Sequence, residues 1–237
     1  MTKNKIFNEE TLEYLNKNRS LPSVYSFKYN SYDFIGLNSV FAPKLFEDTA
    51  FFSDEIEVKK GDRFLEIGCG TGVISIVKAM QGAIVTSCDI NHDALKNTKM
   101  NAILNNVDKS VNVFYSDVFD NIDDVNTFDI IFWNMPFIYT EEKEDDILNM
   151  SCFSYKYKNI EKFIIESKIA IENGRQVLFG FSNESGSSSI LDSIIDKSNL
   201  KKVLLKEKVL SLDNEPFFSI GLYILKLPFQ FDIEKDI

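Results

Sequence analysis

Four short stretches of this chain carry side chains suited to ligand chemistry. Glu66 sits near the end of the apolar run Phe64-Leu65-Glu66-Ile67, and Gly68-Cys69-Gly70-Thr71-Gly72 follows, three glycines alternating with small residues. Glycine suits a turn where backbone must approach a ligand closely, because it lacks Cβ and tolerates φ > 0. Asp89 closes a second apolar run, Asp117 follows a third, and Asn134-Met135-Pro136-Phe137 closes a fourth. In an open α/β sheet, ligands sit beyond the carboxyl ends of strands where the strand order reverses. Strand ends marked in this way from residue 66 to residue 137 would converge at one sheet edge.

The residue types then restrict the ligand. A nicotinamide dinucleotide places its third glycine three residues after the second, to bring helix and strand together beside the pyrophosphate. Here the glycines fall at 68, 70 and 72, and position 73 is Val. A pyrophosphate also disfavours a carboxylate where Glu66 stands. Glu66 suits a positive charge such as an amino-acid ammonium, with the backbone of Gly68, Cys69 and Gly70 passing alongside. Asp89, next to Ile90, can accept both hydroxyls of a ribose. Asp117 sits where an exocyclic adenine amine could be held, and Val118 offers a backbone N–H to a ring nitrogen. A ligand with ribose, adenine, an amino-acid end and no phosphate is S-adenosylmethionine.

The elements that must position these residues follow from periodicity. From residue 62 onward strands alternate with helices, which predicts a doubly wound, mostly parallel α/β sheet. The strands are expected at about 62–67, 83–88, 111–115, 128–133 and 176–181, and the helices at about 72–81, 92–105, 159–172 and 187–198. Gly82 and Asn91 are placed to end one helix and cap the next. Two long strands, 201–212 and 217–227 around Asp213-Asn214-Glu215-Pro216, read as an antiparallel hairpin at one edge and bring the sheet to seven strands. Before the sheet, a helix over 6–18 capped by Asn8 with Leu12 and Leu15 on one face, a hairpin turning at Asn30-Ser31, and a segment 41–52 covering the site form a small N-terminal arm. Domain limits of 1–52 and 53–237 follow. Residues 138–158 read as a polar insertion with an acidic cluster between Glu141 and Asp146, either a solvated lid or an attractor of cations.

Composition narrows the function classes. The chain has 237 residues, 44% hydrophobic and 26% charged, which suits one α/β domain with an appendage. No apolar run reaches the roughly 18 residues of a membrane span, and no apolar signal core follows Met1. With three cysteines lacking metal-like spacing, this leads us to expect reduced thiols in a cytoplasmic protein. One histidine, His92, nearly excludes histidine triads and multi-histidine metal sites, so no metal is expected. It is expected in the first turn of a helix, and Trp133 in the core. The net charge of −10 disfavours a nucleic-acid partner, which is usually gripped by a basic face.

Leu65 to Gly72, Cys88-Asp89-Ile90, Ser116-Asp117-Val118 and Asn134 to Phe137 resemble, in order, the motifs of the class I S-adenosylmethionine-dependent methyltransferases, over residues 41–227. The fourth stretch is similar to the Asn-Pro-Pro-Tyr motif of enzymes that methylate planar nitrogen. The nearest resemblance is to the release-factor glutamine methyltransferases and their small-domain relatives, which include rRNA and tRNA methyltransferases. Pro43 to Thr49 is similar to a Pro-Arg-Pro-x-Thr segment of that group. Three departures stand out: Met135 replaces a proline, Phe137 replaces a tyrosine, and the N-terminal arm is short.

The resemblance implies metal-free methyl transfer to an amide or amine nitrogen of a protein glutamine or a small metabolite. Asn134 and the Met135 carbonyl would receive N–H groups of the acceptor, and Phe137 would stack on it. Asn134 would also border the cofactor. RNA adenine or guanine N-methylation is the alternative acceptor class. A nicotinamide oxidoreductase and a non-catalytic cofactor-binding module are the readings from other classes.

Overall fold

The computed structural model describes residues 3–212 and 215–228, with side chains described for 7–209 and 218–228. The elements in chain order are α1 (Lys3–Arg19), β1 (Val24–Tyr29), β2 (Tyr32–Leu37), α2 (Asp48–Glu55), β3 (Arg63–Ile67), α3 (Val73–Met80), β4 (Ile84–Asp89), α4 (His92–Leu104), β5 (Val111–Tyr115), β6 (Ile130–Asn134), β7 (Ile138–Thr140), β8 (Phe153–Tyr155), α5 (Lys158–Glu172), β9 (Gln176–Phe181), α6 (Ser188–Lys197), β10 (Lys201–Leu212) and β11 (Glu215–Lys226). Among the described residues no helix is long and apolar enough to cross a membrane.

Seven strands form one sheet in the order β10-β11-β9-β6-β3-β4-β5. The ladders from β9 through β6, β3 and β4 to β5 are all parallel, and β11 runs antiparallel to both its neighbours. The expected α/β architecture with an antiparallel C-terminal pair is therefore present, with β11 inserted between β9 and the edge strand β10. Residues 213 and 214 of its expected turn lie outside the described residues. The chain builds outward from β3 to β4 and β5, then returns to β6 on the other side of β3. That reversal is the switch point at which open α/β sheets bind ligands.

Side chains alternate across the sheet, and so does the core. Leu65 and Ile67 of β3 pack with Ile131, Trp133, Phe163 and Leu191 on the face covered by α5 and α6. Phe64 packs with Ile130, Phe132, Ile76 and Phe52 on the face covered by α2, α3 and α4. Both faces are thus sealed by helices, the condition under which parallel strands read as continuous apolar runs.

The N-terminal arm is held by buried amides. The β1–β2 hairpin turns at Asn30 (φ 45°) and Ser31 (φ 69°), the residues expected there. Its inner strand is bound by asparagines of α4: Asn101 Oδ1 accepts from Ile35 N at 2.8 Å, and Asn97 Oδ1 from Leu37 N at 3.0 Å. Two sequence expectations fail here. The first helix begins at Lys3, so Asn8 lies inside it and is no cap. Leu12 is 40% exposed; the buried stripe is Phe7, Thr11, Leu15 and Asn18, because Asn18 turns inward to bind the backbone of Asn38, Val40 and Ala42. The 138–158 insertion, expected only as polar chain, contains the short parallel pair β7–β8.

Candidate active site

The turn after β3 takes the backbone that glycine allows. Gly68 and Gly72 have φ of 66° and 82°, and a Cβ there would stand 3.0 Å from Trp133 Nε1 and 2.8 Å from the Thr98 side chain. Neighbouring strands hold the turn in place. Cys69 N donates to Cys88 O at 3.1 Å, and Gly70 N to Asp89 Oδ2 at 3.0 Å. Cys69, expected to border a cofactor, does line the cavity, but its N–H is already committed and burial pushes its thiol well up.

Glu66 shares the sheet face of Phe64, so alternation turns it toward α3. One carboxylate oxygen accepts both Ser75 N (2.9 Å) and Ser75 Oγ, and Ser75 Oγ lies 2.6 Å from Ser87 Oγ. Burial pushes the Glu66 carboxyl up to about 8, with the Asp89 charge adding to the rise and the Ser75 donors opposing it. The expected ammonium ligand is thus bonded to serine, and its burial favours the neutral form in the free chain, although it still borders the cavity. A cation placed beside it would favour its ionised form.

Asp89, Ile90, Asp117 and Val118 also line this cavity, which measures about 750 Å³. Asp89 accepts Gly70 N on one oxygen and Asn91 N (2.8 Å) on the other. Each oxygen keeps a lone pair for a further donor, and burial raises the pKa against those amides. Asp117 is half-buried with its carbonyl held by Lys162 Nζ at 3.0 Å, and Val118 follows in a left-handed turn at φ 54°. The cations bordering the cavity, Lys44, Lys143 and Lys158, come from its cover and none from the ends of β3, β4 or β5. Three carboxylates and a glycine turn without a cation fit a phosphate-free cationic nucleoside and do not fit a pyrophosphate.

Asn134 ends β6 on the opposite side of the switch point. Its Nδ2 donates to Asp48 Oδ2 at 2.7 Å, while Oδ1 is buried without a hydrogen-bond partner. A buried orphan carbonyl costs about 1–3 kcal/mol and asks for a donor. Gly180 on β9 makes room for that amide, since a Cβ there would meet Asn134 Oδ1 at 2.8 Å and Phe52 Cζ at 2.3 Å. Met135 is buried. The Phe137 carbonyl accepts from Tyr157 Oη, which itself accepts Ser187 N at 2.8 Å. The Phe137 ring packs against Phe7, Phe181 and Phe218 at centroid distances of 6.2–6.5 Å and forms part of the cavity wall.

Several contributors leave little trace in the sequence. Asp48 opens α2 and lies in the cavity wall, buried, and burial raises its pKa. Sequence assigns the 41–52 segment only to covering the site, although Glu47-Asp48-Thr49 at a helix start is a visible place for a functional acid. Helix α1 contributes Phe7, Thr11 and Tyr14 to the cavity, and Arg19 ties it to the insertion through Asp146 (3.0 Å) and Asn149 (2.6 Å). The acidic cluster is therefore partly structural: Glu144 accepts from Asp146 N and Asn149 Nδ2, and Asp146 from Leu148 N. His92 stays outside, exposed and stacked on Tyr115 at 5.2 Å. Trp133 is buried as expected, edge-on to Phe163, yet also forms cavity wall. No group of residues suited to a metal ion occurs among the described residues.

Residues 31–200 match a family model described as methyltransferase small domain. A Methanocaldococcus jannaschii protein named as a protein N5-glutamine methyltransferase is 36% identical over 144 residues, which cover 59% of this chain and 71% of that one. A release factor glutamine methyltransferase of Fusobacterium nucleatum is 39% identical over 82 residues, 34% of this chain and 23% of that one. Among solved structures, a ribosomal protein L11 methylase of Lactobacillus delbrueckii subsp. bulgaricus superposes with a TM-score of 0.56 at 17% identity, covering 79% of this chain and 81% of that one. A protein named as a methyltransferase and crystallised with S-adenosylhomocysteine superposes with a TM-score of 0.61 at 15% identity, covering 86% and 56%.

Proposed function

The chain belongs to the methyltransferase small domain family, and from that footing we propose that it places a methyl group on a planar amide or amine nitrogen, with protein glutamine the first candidate acceptor. It is an S-adenosylmethionine-dependent methyltransferase. When bound, S-adenosylmethionine supplies a sulfonium methyl open to displacement by a nitrogen lone pair. Asp89 would hold its ribose hydroxyls, Asp117 and Val118 its adenine, and Glu66 its ammonium, with Gly68, Cys69, Gly70 and Ile90 as walls.

The observation that carries the acceptor class is Asn134: an amide at the end of β6, in the same cavity as the three carboxylates, with its carbonyl lacking a donor. An amide or aryl-amine lone pair is delocalised and weakly nucleophilic. An N–H given to Asn134 Oδ1 and another to the Met135 carbonyl would aim that lone pair and stabilise the positive charge developing on nitrogen. Pro136 biases Met135 toward extended backbone. Phe137 would bound the planar group on one side. The M. jannaschii relative's name supports a protein glutamine acceptor, and the net charge of −10 opposes bare RNA.

The test is transfer from methyl-labelled S-adenosylmethionine to a glutamine-bearing peptide, a release factor, a ribosomal protein and an RNA mixture. Label on a glutamine side chain is expected. Label confined to RNA would replace the protein acceptor by a nucleobase. No calorimetric binding of S-adenosylhomocysteine would end the methyltransferase reading itself.

A further inference from the structure

We propose that Asp48 is a positioning residue for Asn134, holding its amide so that the carbonyl oxygen, never the NH2, is left for the methyl acceptor. This rests on the N-methyl-transfer reading of the same site.

A side-chain amide has two ends of nearly equal shape and opposite hydrogen-bonding character. Unless something else distinguishes them, an asparagine at the acceptor position would present a donor as readily as an acceptor. An ionised carboxylate only accepts, so while Asp48 is charged, a form that the Asn134 and Thr49 N–H groups favour and burial opposes, the 2.7 Å contact between Asp48 Oδ2 and Asn134 holds only with Nδ2 facing it. The reversed amide would set two oxygens against each other. Asn134 Oδ1 then remains the one buried side-chain acceptor of this pair without a donor in the chain.

Asp48 has the properties such a role needs. It is 7% exposed and has no ion pair among the described residues, so its charge is not held by a salt bridge. Its other oxygen accepts Thr49 N at 2.8 Å, which fixes the carboxyl plane. Its helix is itself anchored: Lys78 Nζ donates to Ser53 O at 2.8 Å, Tyr29 Oη to Ala50 O at 3.2 Å, and Phe52 is fully buried against Phe132. A carboxylate needed only for solubility would not be buried on a braced helix beside the amide of β6.

The experiment has a part that needs no acceptor. In protein labelled with [15N]asparagine, the Asn134 side-chain amide, assigned through the spectrum of Asn134→Ala, should show one slowly exchanging, hydrogen-bonded Nδ2 proton. Asp48→Ala should lose it. With the acceptor identified by methyl-label transfer, Asp48→Ala should lower kcat roughly 10- to 100-fold, the scale of a misplaced reacting group. S-adenosylhomocysteine affinity should change by less than about twofold. Asp48→Asn should recover part of the loss, because its carbonyl can accept the same N–H while its NH2 takes the place of the oxygen that accepts Thr49 N.

In an Asn134→Ala background, Asp48→Ala should add less than about twofold, as expected for two residues acting as one unit. Wild-type turnover in Asp48→Ala, or losses that multiply, would overturn the proposal. Asp48→Asn as slow as Asp48→Ala would also overturn it, and would make the carboxylate itself the group acting on the acceptor. A protein that transfers no methyl at all would refute the underlying reading, whereas an Asn134 amide proton unchanged in Asp48→Ala would refute the contact whatever the reaction.

Discussion

Glu66 and Ser75 are joined by two hydrogen bonds to a single carboxylate oxygen, one from the Ser75 amide and one from its hydroxyl. The pair lies in the packed layer between β3 and α3, and burial pushes the Glu66 carboxyl from 4.5 up to about 8. The folded chain then binds a proton there that the unfolded chain releases above about 4.5. The associated stability is fully present below that pH and is lost as pH rises through about 8. Chemical denaturation at pH 5 and pH 8 should show a fall of up to about 4 kcal/mol from this group. Asp48 and Asp89 carry shifts of the same sign, so Glu66→Gln should reduce the fall without abolishing it. Lys78, lowered from 10.5 to about 8 by burial, works the other way between those two values. The thiols of Cys69, Cys88 and Cys152, raised above 9.0 by burial, oppose it from about pH 9, so no net recovery is expected in alkali. A flat wild-type profile from pH 5 to 8 would show that Glu66 is ionised in the free protein.

Asp89 is the group expected to bind the cofactor's ribose. At a free concentration of 100 times its dissociation constant, S-adenosylhomocysteine should stabilise the fold by about 2.7 kcal/mol, visible as a thermal shift. Asp89→Ala removes a charged acceptor worth about 1.5–3 kcal/mol per hydrogen bond, so affinity should fall roughly 10- to 100-fold in calorimetry. Part of that loss will come from Gly70 N and Asn91 N, which lose their acceptor as well. An unchanged affinity would remove Asp89 from the cofactor site.

What is legible in the sequence, and what is not, divides along local and long-range causes. The glycine turn, Asp89, Asp117 and Asn134 are legible because strand ends and backbone demands leave short-range traces. The strand at 111–115, the strand at 176–181 and the Asn91 cap fall where periodicity places them. Glu66 reads as a free ligand group because no local pattern announces that Ser75, nine residues on, will supply two donors. The pairing of Asp48 is hidden for the same reason, its partner lying 86 residues away, although an acid at that helix start is visible in the sequence. Asn18, Asn97 and Asn101 read as ordinary helix polar residues, since their acceptors belong to loops and a hairpin that sequence spacing cannot bring near.

Asn134→Ala tests the chemistry apart from binding. The variant keeps β6 intact and removes both the contact to Asp48 and the orphan carbonyl. S-adenosylhomocysteine binding should stay close to wild type, while kcat should drop roughly 10²- to 10³-fold, the scale of losing one preorganised hydrogen bond to a transition state. Single-turnover kinetics will separate the chemical step from product release. Equal single-turnover rates would take Asn134 out of the reaction.

Gly72→Ala should strain the turn by two routes. The residue sits at φ 82°, and the new methyl would stand 2.8 Å from Thr98 Cγ2 and Oγ1. A non-glycine residue held in this region costs about 1–3 kcal/mol. Adding Thr98→Ala should relieve the clash with the Thr98 side chain but leave the dihedral cost and the 3.0 Å approach to Thr98 Cα. It also removes the hydroxyl that donates to Gly70 O, so the double variant should recover only part of the melting temperature. Full recovery would show that sterics alone require glycine here.

Asn101 joins the N-terminal hairpin to the glycine turn, and its loss should be felt at both. Its Nδ2 donates to Ile35 O and Thr71 O, each at 2.8 Å, while its Oδ1 accepts Ile35 N at 2.8 Å, and the side chain is fully buried. Asn101→Ala leaves Ile35 N without its acceptor and Thr71 O without this donor, at about 1–3 kcal/mol for each unpaired group. Asn97 still holds Leu37 N and Ile35 O, so the hairpin should loosen at Ile35 first. Amide exchange at Ile35 should therefore accelerate more than at Leu37, and cofactor affinity should drop because Thr71 belongs to the turn that lines the cavity. Faster exchange at Ile35 with unchanged affinity would mean that the hairpin and the cofactor turn are held independently, with α4 serving each through different side chains.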